Sequence, residues 1–191
     1  MNGRERRSAH AGFWLVMALA GAVVVVDQLT KLWAVSALAG RASVAVVGEL
    51  IQLRLTYNAG AAFSFAERFT WVLTLITAAA VVTISIVAAR ARSRAWMVSL
   101  GLILGGAATH LLDRMFREPG PARGHVVDFI DYFGFFVGNV ADISLVVGAG
   151  LAVLLQLRGV SLSGAAEPAS GAQPPTPTPR RQAEGSDGGV A

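Results

Sequence analysis

The amino-acid sequence predicts an all-α membrane protein in which four transmembrane helices carry a small extracytoplasmic β-sheet. Of its 191 residues, 54% are hydrophobic and only 15% are charged, whereas about a quarter of the residues in soluble domains are charged. The apolar residues are concentrated in four long runs, which is typical of membrane spans. Between the first two runs, β-branched and polar residues alternate, and this pattern favours short strands.

The composition also excludes several classes of site and partner. The chain has no cysteine, so a disulfide, a thiol nucleophile and a cysteine metal site are excluded. The net charge of +4 does not indicate nucleic acid, because the sixteen basic residues are scattered and several of them flank apolar runs. We therefore expect no nucleic-acid partner.

The first span is predicted at residues 12–33. Three arginines precede it, as in a cleaved signal peptide, but three more spans follow and a retained helix is expected. The continuous apolar run at 11–26 is shorter than the roughly 20 residues that cross a bilayer, so the helix should continue through Asp27 and Lys31. These two residues share a helical face. They form either an ordinary ion pair at the water boundary or a brace for a functional site.

The extracytoplasmic strands are predicted within residues 43–65. Two β-branched segments, 43–47 and 50–56, are separated by Gly48-Glu49, which suits a turn. The small residues that follow, from Asn58 through Gly60, allow a close approach of the backbone to another group, although a plain glycine-containing loop has the same composition.

The other spans are predicted at 70–89, 96–113 and 139–158. Gly101 and Gly105 in the third span have the spacing that lets transmembrane helices pack closely. The segment between the third and fourth spans, from Met115 to Asn139, is predicted as a loop rich in aromatic residues.

The membrane domain should thus occupy residues 1–160. Residues 161–191 are rich in Pro, Gly, Ala and Ser and cannot bury enough apolar surface to fold, so a disordered cytoplasmic tail is expected. Four spans place both termini on one side. The short loop with Arg90, Arg92 and Arg94 carries no acid and indicates that this side is the cytoplasm.

Asp128 and Asp142 are the candidate catalytic residues. Both lie in apolar surroundings near the same outer membrane surface, where a carboxylate is costly. Two carboxyl groups close together share a proton, so that one can activate water while the other donates to a carbonyl oxygen. The alternative is a surface aspartate and a helix-capping one, with Asn139 as the cap residue.

Three other interpretations remain open on the residues alone. His110 with Asp113, and His125 with Asp128, could supply ligands to a metal ion, although no HExxH motif is present. A proton-coupled carrier could use Asp142 as its relay. A membrane scaffold without catalytic activity is the third interpretation. A serine nucleophile is not indicated, because the chain has no G-x-S-x-G motif.

Five ordered blocks together resemble the lipoprotein signal peptidases, or signal peptidase II, which are four-span aspartic proteases of the bacterial inner membrane. The resemblance covers about residues 12–158. The blocks are Asp27-Gln28-Leu29-Thr30-Lys31, Asn58-x-Gly60-x-x-Phe63-Ser64, Gly105-Gly106-Ala107 leading to Asp113-Arg114, Val126-Val127-Asp128-Phe129-Ile130, and Asn139-Val140-Ala141-Asp142.

The resemblance implies a function and a set of site residues. Asp128 and Asp142 match the catalytic pair, and the 43–65 region matches the periplasmic β-cradle of the family. The implied reaction removes the signal peptide of prolipoproteins just before a diacylglyceryl-modified cysteine, at the membrane lipid, with no metal and no cofactor, and a monomer is expected. The residues that match supporting positions are Asp27, Lys31, Asn58, Gly60, Asp113, Arg114 and Asn139.

The chain departs from the family pattern at three positions. Thr109 and His110 stand where the family usually has Gly-Asn, and Gly138 stands where it usually has phenylalanine. These changes bear on the role of His110 and on substrate fit, while both acids are intact.

Overall fold

The computed structural model describes residues 3–60 and 70–163, with side chains from Gly12 onward. Phe63 and Ser64 of the second block and the tail from residue 164 lie outside the described residues. Within the described part, four helices are long and apolar enough to cross a membrane, and this confirms the predicted number of spans. They are α1 (Gly3–Leu38), α2 (Thr70–Arg90), α3 (Arg94–Phe116) and α4 (Val140–Leu157).

Helix α1 extends five residues beyond the predicted end of the first span. The side chains of Asp27 and Lys31 are completely buried in the protein. Their polar atoms are paired inside the protein, as described below, and the helix therefore continues without interruption to Leu38.

A four-stranded antiparallel sheet with the order β1-β2-β3-β4 follows α1 and is completed after α3. The expected segment at 43–65 supplies two of its strands. The interpretation of residues 115–139 as a loop was wrong for the other two, because β3 is an inner strand whose first four residues are all buried and show no alternation. The strands are β1 (Val44–Val47), β2 (Ile51–Asn58), β3 (Val126–Tyr132) and β4 (Phe136–Gly138).

Helix α3 lies at the centre of the bundle and packs on its neighbours through glycines. A Cβ atom added at Gly105 would lie 2.6 Å from the Val23 side chain and 2.9 Å from the Ala20 carbonyl oxygen of α1. One added at Gly106 would lie 2.9 Å from the Ala141 carbonyl oxygen of α4. The predicted close packing of the third span is therefore present on two faces of α3, and it fixes α1 and α4 relative to each other.

The sheet rests on the end of α1. Ala34 and Leu38 of α1 form an apolar cluster with Phe129 of β3, and the Trp33 ring meets the Phe129 ring edge to face with centroids 6.3 Å apart. Because Phe129 follows Asp128 directly, this contact places the first candidate acid at the junction of sheet and helices.

Candidate active site

A cavity of about 960 Å³ opens between α2 and α4, with α3 behind it and the sheet above it. Asp128 and Asp142 both line this cavity. The two candidate acids therefore face the same cavity. Around them the lining includes His110 and Arg114 of α3, while α2 contributes a mostly apolar wall.

Asp142 occupies the first turn of α4. The Asn139 side-chain oxygen accepts a hydrogen bond from the Asp142 backbone N–H at 3.1 Å, and Asp142 Oδ2 accepts one from the Asn139 backbone N–H at 2.9 Å. This reciprocal capping box fixes the start of the helix and the direction of the Asp142 side chain. The helix N-terminus also favours a negative charge at this position.

Asn139 connects the two acids. Its Nδ2 donates to Asp128 Oδ1 at 2.6 Å and to the Val127 carbonyl oxygen at 3.3 Å, while its other side-chain atom caps α4. The expectation of a helix-capping residue was thus correct for Asn139. The cap does not replace the catalytic interpretation, because the same amide contacts both carboxyl residues.

Asp128 is 2% exposed, and its two oxygens accept different amide donors. Asn58 Nδ2 donates to Oδ2 at 2.9 Å, opposite the bond from Asn139 to Oδ1. Burial raises the pKa of Asp128 to about 6, and the charge of Asp142 acts in the same direction, while the two amides and the charge of His110 oppose the rise. Asp128 therefore retains its proton at a pH where an ordinary aspartate has lost it.

The Asn58-x-Gly60 segment holds the Asn58 amide in place. The Gly60 backbone N–H donates to Asn58 Oδ1 at 2.8 Å, which turns Nδ2 toward Asp128. Gly60 has φ +107°, and an added Cβ would meet the Leu73 side chain and lie 2.9 Å from an Arg114 nitrogen. Glycine is required here for both reasons. Arg114 closes the segment by donating to the Ala59 carbonyl oxygen at 3.4 Å.

Asp27, Lys31 and Asp113 form a buried ion cluster outside the cavity. Lys31 Nζ lies 2.7 Å from an oxygen of each aspartate, and all three side chains are at most 1% exposed. Thr109 donates to Asp27 Oδ2 at 2.6 Å, and Arg117 donates to Asp113 Oδ1 at 2.7 Å. A buried charge set of this kind is stable only when nearly every polar atom is paired.

This ion cluster contacts the residue that precedes each candidate acid. Asp27 Oδ1 accepts the backbone N–H of Ala141 at 2.9 Å, and Asp113 Oδ2 accepts that of Val127 at 3.3 Å. The interpretation of Asp27 and Lys31 as a brace therefore fits the geometry better than a boundary ion pair does.

Several residues of the site had no assigned role from the sequence. Gln28 donates to Thr109 and to Asp113, both at 2.8 Å. Arg117 could have been found from its position four residues after Asp113, whereas the contacts of Gln28 and Thr109 join helices that are distant in sequence and carried no such signal.

Two of the three departures from the family pattern, Gly138 and His110, lie next to Asp142. A Cβ at Gly138 would lie 2.6 Å from the Phe136 ring and 2.9 Å from Asp142 Oδ2, so glycine leaves room for both. His110 Nε2 lies 3.1 Å from Asp142 Oδ1. The residue whose role was in doubt thus contacts a candidate acid directly.

The proposed metal ligands are not brought together. Among the described residues, no three histidine or acidic side chains are arranged to hold a metal ion. Asp113 forms ion pairs with Lys31 and Arg117. His110 contacts Asp142, which lies on another helix.

Comparison with known proteins gives a consistent result. Residues 19–158 match the family model described as Signal peptidase (SPase) II. The chain is 46% identical over 145 residues to the lipoprotein signal peptidase of Mycobacterium leprae (strain Br4923), covering 76% of this chain and 72% of the relative. It is 43% identical over 171 residues to that of Mycolicibacterium smegmatis (strain ATCC 700084 / mc(2)155), covering 85% and 73%.

A solved structure supports the same fold. A bacterial membrane enzyme determined by the in meso method at 1.9 Å resolution superposes with a TM-score of 0.61 and 26% sequence identity. The match covers 75% of this chain and 92% of that one. The four-helix arrangement with its small sheet is therefore shared by a known membrane enzyme.

Proposed function

The chain belongs to the signal peptidase II family and is a protease, and from this premise we propose that it removes signal peptides from prolipoproteins as an aspartic endopeptidase. Asp128 and Asp142 are its catalytic pair. The observation that carries this proposal is that both carboxyl groups line one cavity and accept hydrogen bonds from one residue, Asn139.

The two acids have different tasks because their surroundings differ. Burial raises the pKa of Asp128 to about 6, so Asp128 carries the shared proton and acts as the acid. Asp142 accepts hydrogen bonds on both oxygens and stands at a helix N-terminus, which suits an ionised carboxylate. Asp142 is therefore the base.

Hydrolysis proceeds in two steps. In the first, Asp142 takes a proton from a water molecule, the water oxygen bonds to the carbonyl carbon, and Asp128 gives its proton to the carbonyl oxygen. In the second, Asp142 passes the proton to the amide nitrogen as the C–N bond breaks, and Asp128 recovers a proton from a hydroxyl of the intermediate. Both acids end in their starting states, and no covalent intermediate with the enzyme is formed.

The walls of the cavity suit a lipid-modified peptide. Leu73, Ile76 and Ala80 of α2 line one side, and Leu145 of α4 lines the other. These apolar groups accept the acyl chains of a diacylglyceryl-modified cysteine, and cleavage occurs just before that residue. All of the proposed catalytic and supporting side chains come from one chain, so a monomer is sufficient.

The protein is a multi-pass bacterial membrane protein. We place both termini in the cytoplasm and the sheet outside, on the basis of the acid-free arginine loop. The signal peptide then enters the cavity from the outer leaflet.

The first test is replacement of each acid. Asp128→Asn and Asp142→Asn should each lower kcat at least 10³-fold, because an amide can neither take up nor give the proton that the reaction moves at that position. The measurement is cleavage of a diacylglyceryl-modified prolipoprotein by purified protein. Asp131→Asn is the matched control: Asp131 lies on the same strand but does not line the cavity, and it pairs with Arg54. Full activity in either acid variant would show that Asp128 and Asp142 are not a catalytic pair.

The alternatives predict different results. Cleavage that persists in the presence of a chelator would remove the metal interpretation. The comparisons give no support to a proton-coupled carrier, which would show substrate flux in proteoliposomes without proteolysis.

A further inference from the structure

His110 is a titratable side chain that the two-step reaction above does not use. It lies on α3 and lines the cavity, its side chain is 17% exposed, and its Nε2 lies 3.1 Å from Asp142 Oδ1. Among the contacts of the described residues, this is the only one that brings a titratable side chain to Asp142. The contact joins α3 to α4 directly at the reacting group.

The direction of this hydrogen bond follows from the chemistry of the partners. When Asp142 is ionised, its carboxylate can only accept, so the tautomer of His110 that pairs with it carries the hydrogen on Nε2. The Asn139 backbone N–H donates to Oδ2 of the same carboxylate. In the ionised state both oxygens of Asp142 thus have a donor.

We propose that His110 is a positioning residue of the peptidase, which orients Asp142 Oδ1 and keeps Asp142 free of its proton. This inference rests on the proposed function, since it assigns His110 a role only if Asp142 is the base.

The charged groups around the pair are compatible with this role. Asp128 faces the cavity from β3, and Arg114 lies one turn after His110 on α3. Tyr132 of β3 remains neutral, because burial and the charge of Asp142 raise its pKa. The wall from α2 carries no charge. Among these groups, His110 is the one whose side chain contacts the Asp142 carboxyl group directly.

The test is the acid side of the pH profile of kcat/KM, where protonation of the base abolishes activity. In His110→Leu the loss should begin about one pH unit higher than in the unmodified protein, because a charge-capable donor is gone. His110→Asn keeps a hydrogen-bond donor without the charge. The acid limb of its profile should therefore move to higher pH by less than in His110→Leu. His125→Leu is the matched control, since His125 does not line the cavity, and its profile should be unchanged.

An unchanged acid limb in folded His110→Leu would overturn the proposal. If His110→Leu does not fold, an unchanged limb in His110→Asn would do so. Neither result touches the catalytic pair, which stands or falls with Asp128→Asn and Asp142→Asn at the pH optimum. Loss of stability alone would lower activity equally at every pH and would leave the limb in place.

Discussion

Asp128 and Asp142 are the same kind of side chain in two different settings. Asp128 is buried on strand β3 and accepts hydrogen bonds from the Asn58 and Asn139 amides. Asp142 is about a quarter exposed and contacts His110 and a backbone N–H. Burial outweighs the two amide donors at Asp128 and raises its pKa, whereas Asp142 is more exposed and lies at a helix N-terminus. At the residue scale, the proposed division into acid and base follows from these neighbours.

The alkaline side of the pH profile should report Asp128. Its pKa is raised to about 6, and the protonated form is the active one, so kcat/KM should fall about tenfold per pH unit above pH 6. In kcat the limb should lie at higher pH, because a bound substrate excludes more water from the cavity and raises the pKa of Asp128 further. Steady-state rates between pH 4 and 9 measure both. A kcat/KM value that stays constant to pH 8 would contradict this role.

At the element scale, the start of helix α4 and the geometry of the acids depend on one residue. Asn139 caps the helix with its oxygen and holds Asp128 with its nitrogen. Because these two functions use different atoms of one amide, a single substitution can separate them.

Asn139→Ser should retain the cap but lose the donor to Asp128 and to the Val127 carbonyl oxygen, so kcat should fall at least tenfold and the free energy of unfolding should fall by about 1–3 kcal/mol. Asn139→Ala should lose both, with an additional destabilisation of about 1 kcal/mol. Cleavage assays and thermal unfolding in detergent measure the two effects. Serine and alanine variants of equal stability would show that the capping bond is unimportant.

The four helices could be predicted from the sequence because hydrophobic run length is a local property. Strands β1 and β2 were also found, because both are rich in β-branched residues and the polar residues of β2 alternate with apolar ones. Strands β3 and β4 were missed because β3 is buried and its partner strand β2 is nearly seventy residues away. The candidate site residues were named from their motifs, but the bond from His110 to Asp142 depends on how α3 packs against α4.

At the scale of the whole molecule, the ion cluster of Asp27, Lys31 and Asp113 joins α1 to α3 and extends to the backbone of β3 and α4. Lys31 is its only lysine and lies between both carboxylates. Without the Lys31 ammonium group, the two buried carboxylates lose a positive partner that they share. Such a loss is among the most destabilising changes that a protein can undergo.

Lys31→Met should therefore lower the free energy of unfolding by about 3–5 kcal/mol, as measured by SDS titration in mixed micelles. Arg92→Met is the control for the same loss of positive charge, since Arg92 is exposed in the link between α2 and α3, and the effect there should be within about 0.5 kcal/mol. Equal stability of the two variants would show that the cluster does not hold the helices together.

The orientation of the molecule can be tested cleanly because the chain has no cysteine. Glu49→Cys, in the exposed turn between β1 and β2, should react with a membrane-impermeant maleimide in intact cells. Arg92→Cys should react only after the membrane is opened, because the arginine loop is on the cytoplasmic side. The reverse labelling pattern would invert the proposed topology.

The spacing of the buried charges has a consequence for biogenesis. Asp27 and Lys31 are four residues apart on α1, and Asp113 near the end of α3 is four residues before Arg117, which follows the helix directly. Each helix therefore brings a counterion of its own and can enter the lipid electrically compensated at that point, before it has met its neighbour. Insertion of the individual helices need not wait for their assembly, and the shared contacts of Lys31 form when the two helices associate.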